Sequence, residues 1–279
     1  MAKLIHNSYG KNQVRVTKVE RDGARHRVYE FSVNVRLFGE FAAVYEQDDN
    51  ALCIPTDTMK NTVYVVAKQT TIESPEQFAT VLAEHFVATY PQVSATRIEL
   101  TESRWERIRI GGGAHDHAFT RAAAKRTASA QAGGDAPLLA GGVRELEVLK
   151  TTGSGFVGFH QDRYTTLQQD DDRIFATSVE AQWEISDRAA DANAIYDDAV
   201  ATILEVFATH RSPSVQSTMF LSARTLLDRI AAVQTVHMTM PNQHHILAKL
   251  EPFGHDNRNE VFVGTGEPFG LITATVERD

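Results

Sequence analysis

The clearest alternation in the chain runs from Tyr29 to Leu37. Tyr29, Phe31, Val33, Val35 and Leu37 alternate with Glu30, Ser32, Asn34 and Arg36. A period of two is that of a half-buried strand, more typical of antiparallel sheet. A turn at Tyr9-Gly10-Lys11-Asn12 and a strand over Val14–Val19 precede it, and a shorter strand over Phe41–Tyr45 follows. A further strand should end near Ile54, because Pro55 disfavours helix for the residue before it. Thr56 and Asp57 are both N-cap types and lead into a helical run, Met59 to Lys68. A second helix opens at Ser74-Pro75-Glu76-Gln77, with Ser74 as cap, Pro75 at the first helical position and Gln77 completing a capping box. Phe78, Val81, Leu82 and Phe86 share its apolar face. A strand with Ile98 and Leu100 on one side comes next.

The second half has the same order of patterns. Glu145–Thr151, Tyr164–Leu167 and Arg173–Trp183 read as extended. Tyr196, Val200, Ile203, Leu204 and Phe207 mark an amphipathic helix. Ser212-Pro213-Ser214 breaks it and starts another, running to about Ile230. Thr235–Met240 alternates again, Pro241-Asn242 reads as a turn, and His244-His245 opens a strand towards Leu250. The last strand covers Leu271–Val276. Residues 121–142 are rich in alanine and glycine, so propensity allows a helix before Gly133, with a hairpin as the competing reading. Strands, two helices and strands in each half predict a duplicated antiparallel α+β unit with helices on one sheet face, divided as 1–140 and 141–279.

Composition narrows the class. The 279 residues, 42% hydrophobic and 23% charged, allow a sizeable core in a soluble globular protein. A net charge of −8 argues against a nucleic-acid partner, which needs a basic face. No apolar run approaches the ~20 residues of a membrane span. The N-terminal stretch lacks a secretory apolar core. One cysteine, Cys53, makes no intrachain disulfide and fits a reducing cytoplasm.

Three stretches invite a chemical reading. His115-Asp116-His117 looks like a metal-ligand pair, but no further histidine or cysteine nearby completes a set, so no metal is expected. Gly153-Ser154-Gly155-Phe156-Val157-Gly158 lacks the Gly-Lys-Ser/Thr ending of a phosphate loop. Thr56-Asp57 is either an ordinary capped helix start, or a turn that points N–H donors and a hydroxyl at an anionic, planar ligand.

A longer set of short motifs decides between those two readings. Tyr9-Gly10-Lys11-Asn12-x-Val14-Arg15-Val16, Thr56-Asp57-x-x-Lys60-Asn61-Thr62 and Ala67-Lys68-Gln69 lie in the first half. Arg104-Trp105-x-Arg107 and His115-x-His117-x-Phe119 follow. The second half carries Val148-Leu149-Lys150, Phe156-x-Gly158-Phe159, Tyr164-Thr165-Thr166-Leu167, Asp172-Arg173-Ile174, Ser214-Val215-Gln216-x-Thr218-Met219 and Pro241-Asn242-x-His244. In this order and over nearly the whole chain, they resemble the urate oxidase (uricase) family.

The resemblance implies the tunnelling fold (T-fold): tandem ββααββ units with antiparallel sheets and helices on one face, four chains closing oligomeric β-barrels around a tunnel. It implies a cofactor-independent conversion of urate, dioxygen and water to 5-hydroxyisourate and hydrogen peroxide. The partners implied are urate, dioxygen and three further copies of the chain, in a homotetramer with active sites at dimer interfaces. The family's catalytic residues fall on Lys11, Thr56 and His244. Its substrate-binding residues fall on Thr56, Asp57, Phe156, Arg173, Val215, Gln216 and Asn242. Val157, Gln243 and His245 depart from the family pattern without removing a named residue.

The residue types suit that chemistry. Arg173 offers a planar fork of donors to paired acceptors on one ring edge. Gln216 offers a donor and an acceptor to an amide edge, and Phe156 a face to stack on. Lys11, Thr56 and a water would form a proton path, Asn242 would hold oxygen or peroxide, and His244 would orient the attacking water. Two alternatives share the scaffold. A pterin-type enzyme would need a zinc site of His and Cys, for which Cys53 has no ligand-like spacing. A non-catalytic purine-binding protein would have no use for Lys11, Thr56 and His244 together.

Overall fold

The computed structural model describes residues 2–134 and 138–279. The chain divides into two compact units, Met1–Gly142 with Glu184–Asn193, and Val143–Trp183 with Ala194–Asp279.

In the first unit, β1 (Tyr9–Asp22) and β2 (Arg25–Gly39) form a long antiparallel hairpin, extended by β3 (Val93–Glu102) and β6 (Lys125–Gly133). The alternation in β2 is realised as read: Phe31, Val33, Val35 and Leu37 are buried. Two helices, α2 (Thr56–Gln69) and α3 (Pro75–Thr89), cover that face, with Phe31 stacked on Phe78 of α3 at 5.5 Å between ring centroids. Ser74 caps α3, its hydroxyl accepting from the Gln77 N–H at 3.0 Å. The reciprocal half of the capping box is not made, since the Gln77 side-chain oxygen has no partner. A separate hairpin, β4 (Trp105–Ile110) and β5 (Gly113–Arg121), turns at Gly111-Gly112.

Four local expectations fail here. Phe41–Tyr45 is not a strand; Ala42–Glu46 is a short helix, α1. Phe41, Val44 and Tyr45 fit the helical spacing i, i+3, i+4, Val44 breaks the alternation, and the two alanines favour helix. Ile54 ends no strand, because residues 51–55 are turn and loop. Tyr9–Asn12 is no turn either, but the start of β1. Of the two readings of 121–142, the helix before Gly133 is overturned and the extended one holds, since β6 runs there with Ala128 and Ala130 buried and in register with Leu100 and Ile98 of β3. Alanine propensity yields to strand pairing, the tertiary context overriding a weak local preference. The part of that stretch at 135–137 lies outside the described residues.

In the second unit the strand order is β7 (Leu138–Lys150), β8 (Phe175–Ile185), β9 (Val233–Leu247) and β10 (Phe262–Glu277). The helices are α4 (Ala192–Thr209) and α5 (Val215–Arg229), and Ser214 caps α5 by accepting from the Ser217 N–H at 3.2 Å. Of the α4 face predicted to be apolar, Tyr196, Ile203 and Phe207 are buried, while Leu204 is 40% exposed.

Two expectations fail in this unit. Tyr164–Leu167 is not a strand; it is a turn and loop held by Asp162, whose carboxylate accepts from the Tyr164 N–H at 2.9 Å. Pro241-Asn242 is not a turn but lies inside β9, opposite Leu271 and Gly270. The ladder shifts register between Thr265 and Gly270, opposite the step from His244 to Asn242, and Pro241 lies just beyond that irregularity, in register with Leu271.

Candidate active site

The first unit brings Lys11, Thr56 and Asp57 to one end of the β1–β2 hairpin. Three features fix the path of β1 there. A Cβ on Gly10 would sit 1.8 Å from the Val35 carbonyl oxygen, so only glycine lets the strands approach this closely. The register shifts between Lys11 and Val14. Gln13 has φ of 55°, and its N–H donates to the Asn34 Oδ1 at 2.8 Å. Lys11 thus sits at the edge of a bulge, the device that re-aims a side chain out of a ladder.

Thr56 is the first residue of α2, not its cap. Pro55 occupies the cap position and the helix has no side-chain cap. Its first-turn N–H donors are left for a partner outside the helix, which is an anion site in outline. Asp57 is engaged within its own helix, accepting from the Lys60 ammonium and from Asn61 Nδ2 at 3.0 Å. The Lys60 hydrogen bond and charge, with smaller help from Asn61 and the charge of Lys11, hold the Asp57 carboxyl below the usual carboxylate range.

The second unit carries Phe156 and Arg173 on a loop closed on itself by backbone bonds. Phe156 N–H donates to the Asp170 carbonyl at 2.6 Å, and Arg173 N–H to the Ser154 carbonyl at 2.6 Å. The Arg173 guanidinium lies over the Phe156 ring at 5.4 Å from its centroid, and Phe156 stacks on Phe159 at 4.9 Å and 9°. Burial draws the Arg173 pKa down and the Asp170 charge opposes this. A cation beside an aromatic face suits a flat, anionic ligand.

That loop is stitched to the start of α5. Gly155 N–H donates to the Ser212 carbonyl at 2.8 Å and Ser212 N–H to the Gly153 carbonyl at 2.9 Å. Val215 and Gln216 are the first residues of α5, Val215 buried and Gln216 exposed. Asn242 and His244 flank the β9 irregularity, opposite Gly270 and Thr265. His244 lines a shallow cleft of about 340 Å³ together with Gln243, His245, Gly264 and Phe269; Asn242 does not border it. Lys11, Thr56 and Asp57 belong to the first unit, and the other six predicted residues to the second.

Of the departures from the family pattern, Val157 is 54% exposed. Gln243 donates to Glu147 Oε2 at 3.0 Å, and His245 Nδ1 lies 3.2 Å from the Gln243 carbonyl. His115 is engaged locally: its Nδ1 accepts from the N–H groups of His117 at 3.2 Å and Ala118 at 3.1 Å. Among the described residues no group of three His, Cys, Asp or Glu side chains is placed to hold a metal ion.

Sequence reasoning missed residues that hold the site. Asp172 accepts from the Thr152 hydroxyl at 2.7 Å and from the Gly153 N–H at 2.7 Å. Lys150 donates to the His210 carbonyl at 2.6 Å and lies near the rings of Phe175 and Phe207, where burial lowers its pKa. Both belong to motifs already noted, but nothing local separates a residue that ties two loops from one facing solvent. The hydrogen bonds from Thr152 and Gly153 hold the Asp172 carboxyl below its usual range. A depressed carboxyl contributes order that is present above its ordinary pKa and lost as pH falls through the lower folded value. Hydrogen exchange should show the Gly153–Gly155 amides protected at neutral pH and released in strong acid. Asp172→Asn should release them already at neutral pH, and unchanged protection in that variant would refute the role.

Two antiparallel units, each with a pair of helices on one face of its sheet, define the tunnelling-fold class. The uncapped helix start in the first unit suits an anion, and the aromatic–guanidinium pair in the second suits a planar one. The sequence model of the uricase family matches residues 7–131 and 139–273. The uricase of Arthrobacter globiformis is 39% identical over 277 residues, covering 99% of this chain and 90% of that protein. The uricase of Dictyostelium discoideum is 36% identical over 282 residues, covering 100% and 98%. The crystal structure of the Arthrobacter globiformis uricase matches with a TM-score of 0.95 at 39% identity, covering 100% of this chain and 96% of that one. The chain belongs to the uricase family.

Proposed function

We propose that this protein is a urate oxidase that converts urate, dioxygen and water to 5-hydroxyisourate and hydrogen peroxide without a metal or organic cofactor. The observation that carries the reading is the Arg173 guanidinium over Phe156, on a loop pinned to the start of α5. Arg173 and Gln216 bind one edge of the urate anion and Phe156 stacks on its face, with Val215, Asp57 and Thr56 completing the contacts. Lys11 and Thr56, through a water, remove a proton from urate. The resulting dianion is electron-rich enough to reduce dioxygen directly, and Asn242 holds the oxygen or peroxide above the ring. His244 orients the water that adds to the oxidised purine. Catalysis is then proton management and positioning. The test is loss of the ultraviolet absorbance of urate with equal molar peroxide formation, by protein dialysed against a chelator. Urate binding without oxygen consumption would overturn the reading.

The working form in this proposal is a cytoplasmic homotetramer whose barrels close between chains, each active site being shared by two subunits. The support is the family resemblance and the division of the residues, with Lys11, Thr56 and Asp57 in one unit and the rest in the other. Among the described residues no helix is long and apolar enough to cross a membrane. A twofold dimer would hold two equivalent composite sites. Assayed at urate well below the KM that Arg173→Ala would have, Thr56→Ala and Arg173→Ala should each be nearly inactive alone. In a hybrid dimer one site collects both substitutions and the other neither, so a co-expressed mixture should recover about one quarter of full activity. Activity that stays at the residual level, in mixed oligomers verified by mass spectrometry, would rule the shared site out.

A further inference from the structure

Two residues before Lys11, the Tyr9 hydroxyl reaches across to the segment that precedes Thr56. It accepts from the Ile54 N–H at 2.7 Å and donates to the Ile54 carbonyl at 3.2 Å. One hydroxyl thus engages both main-chain groups of a single buried residue. Beyond Ile54 the chain has little freedom. Pro55 has φ of −56°, set by its ring, and Thr56 follows as the first residue of α2. On the other side, the Tyr9 ring stands edge-on to the fully buried Phe41 at 4.8 Å and 89°. Between Tyr9 and Lys11 lies Gly10, pressed against the Val35 carbonyl, so β1 cannot slide locally. The hydroxyl therefore bridges the strand that carries Lys11 and the helix start that carries Thr56. Burial is the main cause that raises its pKa, which keeps the proton it donates to Ile54 in place.

We propose that Tyr9 is a positioning residue for the proton relay, setting Thr56 against Lys11 through Ile54-Pro55. This rests on the relay assigned to those two residues above. It also accounts for the uncapped start of α2. Pro55 offers no side-chain acceptor, so the placement of that helix end comes from outside the helix, through Tyr9.

The fold contains its own control. Tyr29 in β2 donates to the Ile72 carbonyl at 2.8 Å, just ahead of the Ser74 cap of α3. It anchors a helix-leading segment through one hydrogen bond where Tyr9 makes two, at a helix that carries no predicted site residue. Tyr9→Phe and Tyr29→Phe both keep the ring and remove one hydroxyl, so both should fold, with the larger loss in thermal midpoint for Tyr9→Phe, which leaves the Ile54 N–H without its acceptor. In protein that oxidises urate, Tyr9→Phe should lower kcat about tenfold to a hundredfold, the scale of a small misplacement of reacting groups. KM should stay within about twofold, because the Arg173 clamp is untouched. The pH profile of kcat should also move, and the solvent deuterium isotope effect on kcat should rise. Tyr29→Phe should leave all three kinetic readouts unchanged. An unaltered kcat and pH profile in Tyr9→Phe, or an equal loss in Tyr29→Phe, would overturn the assignment. Failure of the unsubstituted protein to oxidise urate would instead reject the relay reading on which it rests.

Discussion

Arg173→Ala should raise the KM for urate by about 30-fold to several thousand-fold, the equivalent of about 2–5 kcal/mol for losing one partner of a hydrogen-bonded charge pair. The turnover at saturation should change far less. The guanidinium sits over the Phe156 ring on a loop whose backbone is closed by bonds to Asp170, Ser154 and Ser212, and substitution of its side chain leaves those bonds in place. An interaction made equally in ground and transition states lowers KM without raising kcat. Lys11→Ala should do the reverse, lowering kcat by about 10²-fold to 10⁴-fold, the usual share of a positioned acid or base, with KM within a few-fold. Steady-state kinetics on the two variants decide the matter. A Lys11→Ala variant that raised only KM would remove lysine from the proton path.

The largest expected effect on stability lies away from that chemistry. Glu76, at the start of α3, pairs with Arg126 of β6 through two hydrogen bonds of 2.6 and 3.2 Å, with side chains 1% and 6% exposed. Arg126 also donates to Asn193 Oδ1 at 2.8 Å and to the Ala192 carbonyl at 2.9 Å, and Asn193 donates to the Glu73 carbonyl at 3.1 Å. Helix α3, strand β6 and the segment entering α4 thus meet on one guanidinium. Glu76→Ala leaves that charge in the interior without its carboxylate and should cost about 3–5 kcal/mol, visible as a lower midpoint in denaturant. The double variant Glu76→Leu with Arg126→Met removes both charges and should recover most of the loss. A double variant as unstable as the single one would show that the pair itself stabilises the fold.

How much of this was legible beforehand depended on whether one segment carried the signal. The β2 alternation needed no partner to be read, because one face of that strand is buried along its length. The Ser74 cap was legible because a serine before Pro-Glu-Gln and a helical run has one dominant use, whereas at Ser212-Pro213-Ser214 only the helix break and restart were read, not which serine caps. Phe156, Arg173, Val215 and Gln216 were reached through motifs matched as a set, and no periodicity would have selected them. Asp172, Lys150 and Tyr9 were passed over because their partners lie 19 to 60 residues away. A hydrogen bond of that reach leaves no spacing for a reader of the chain to find.

The amino-acid order by itself determined the fold class, the helix start at Ser74, the helix restart around Ser212-Pro213-Ser214 and the membership of the family, since each rests on local patterns or on motifs counted together. Tertiary structure alone decided what the ambiguous segments became. Residues 125–133 are a strand because β3 offers a ladder of unpaired backbone groups to pair with, and Ala128 and Ala130 are buried in that pairing. Pro241-Asn242 is strand and not turn because β10 pairs with both residues, Leu271 opposite Pro241 and Gly270 opposite Asn242. The turn expected at Tyr9-Gly10-Lys11-Asn12 became a bulged strand because β2 runs beside it, with the Val35 carbonyl against Gly10 and Asn34 holding Gln13. In each case a backbone group had to find a partner in the interior, and which partner was available depended on chain far away in sequence.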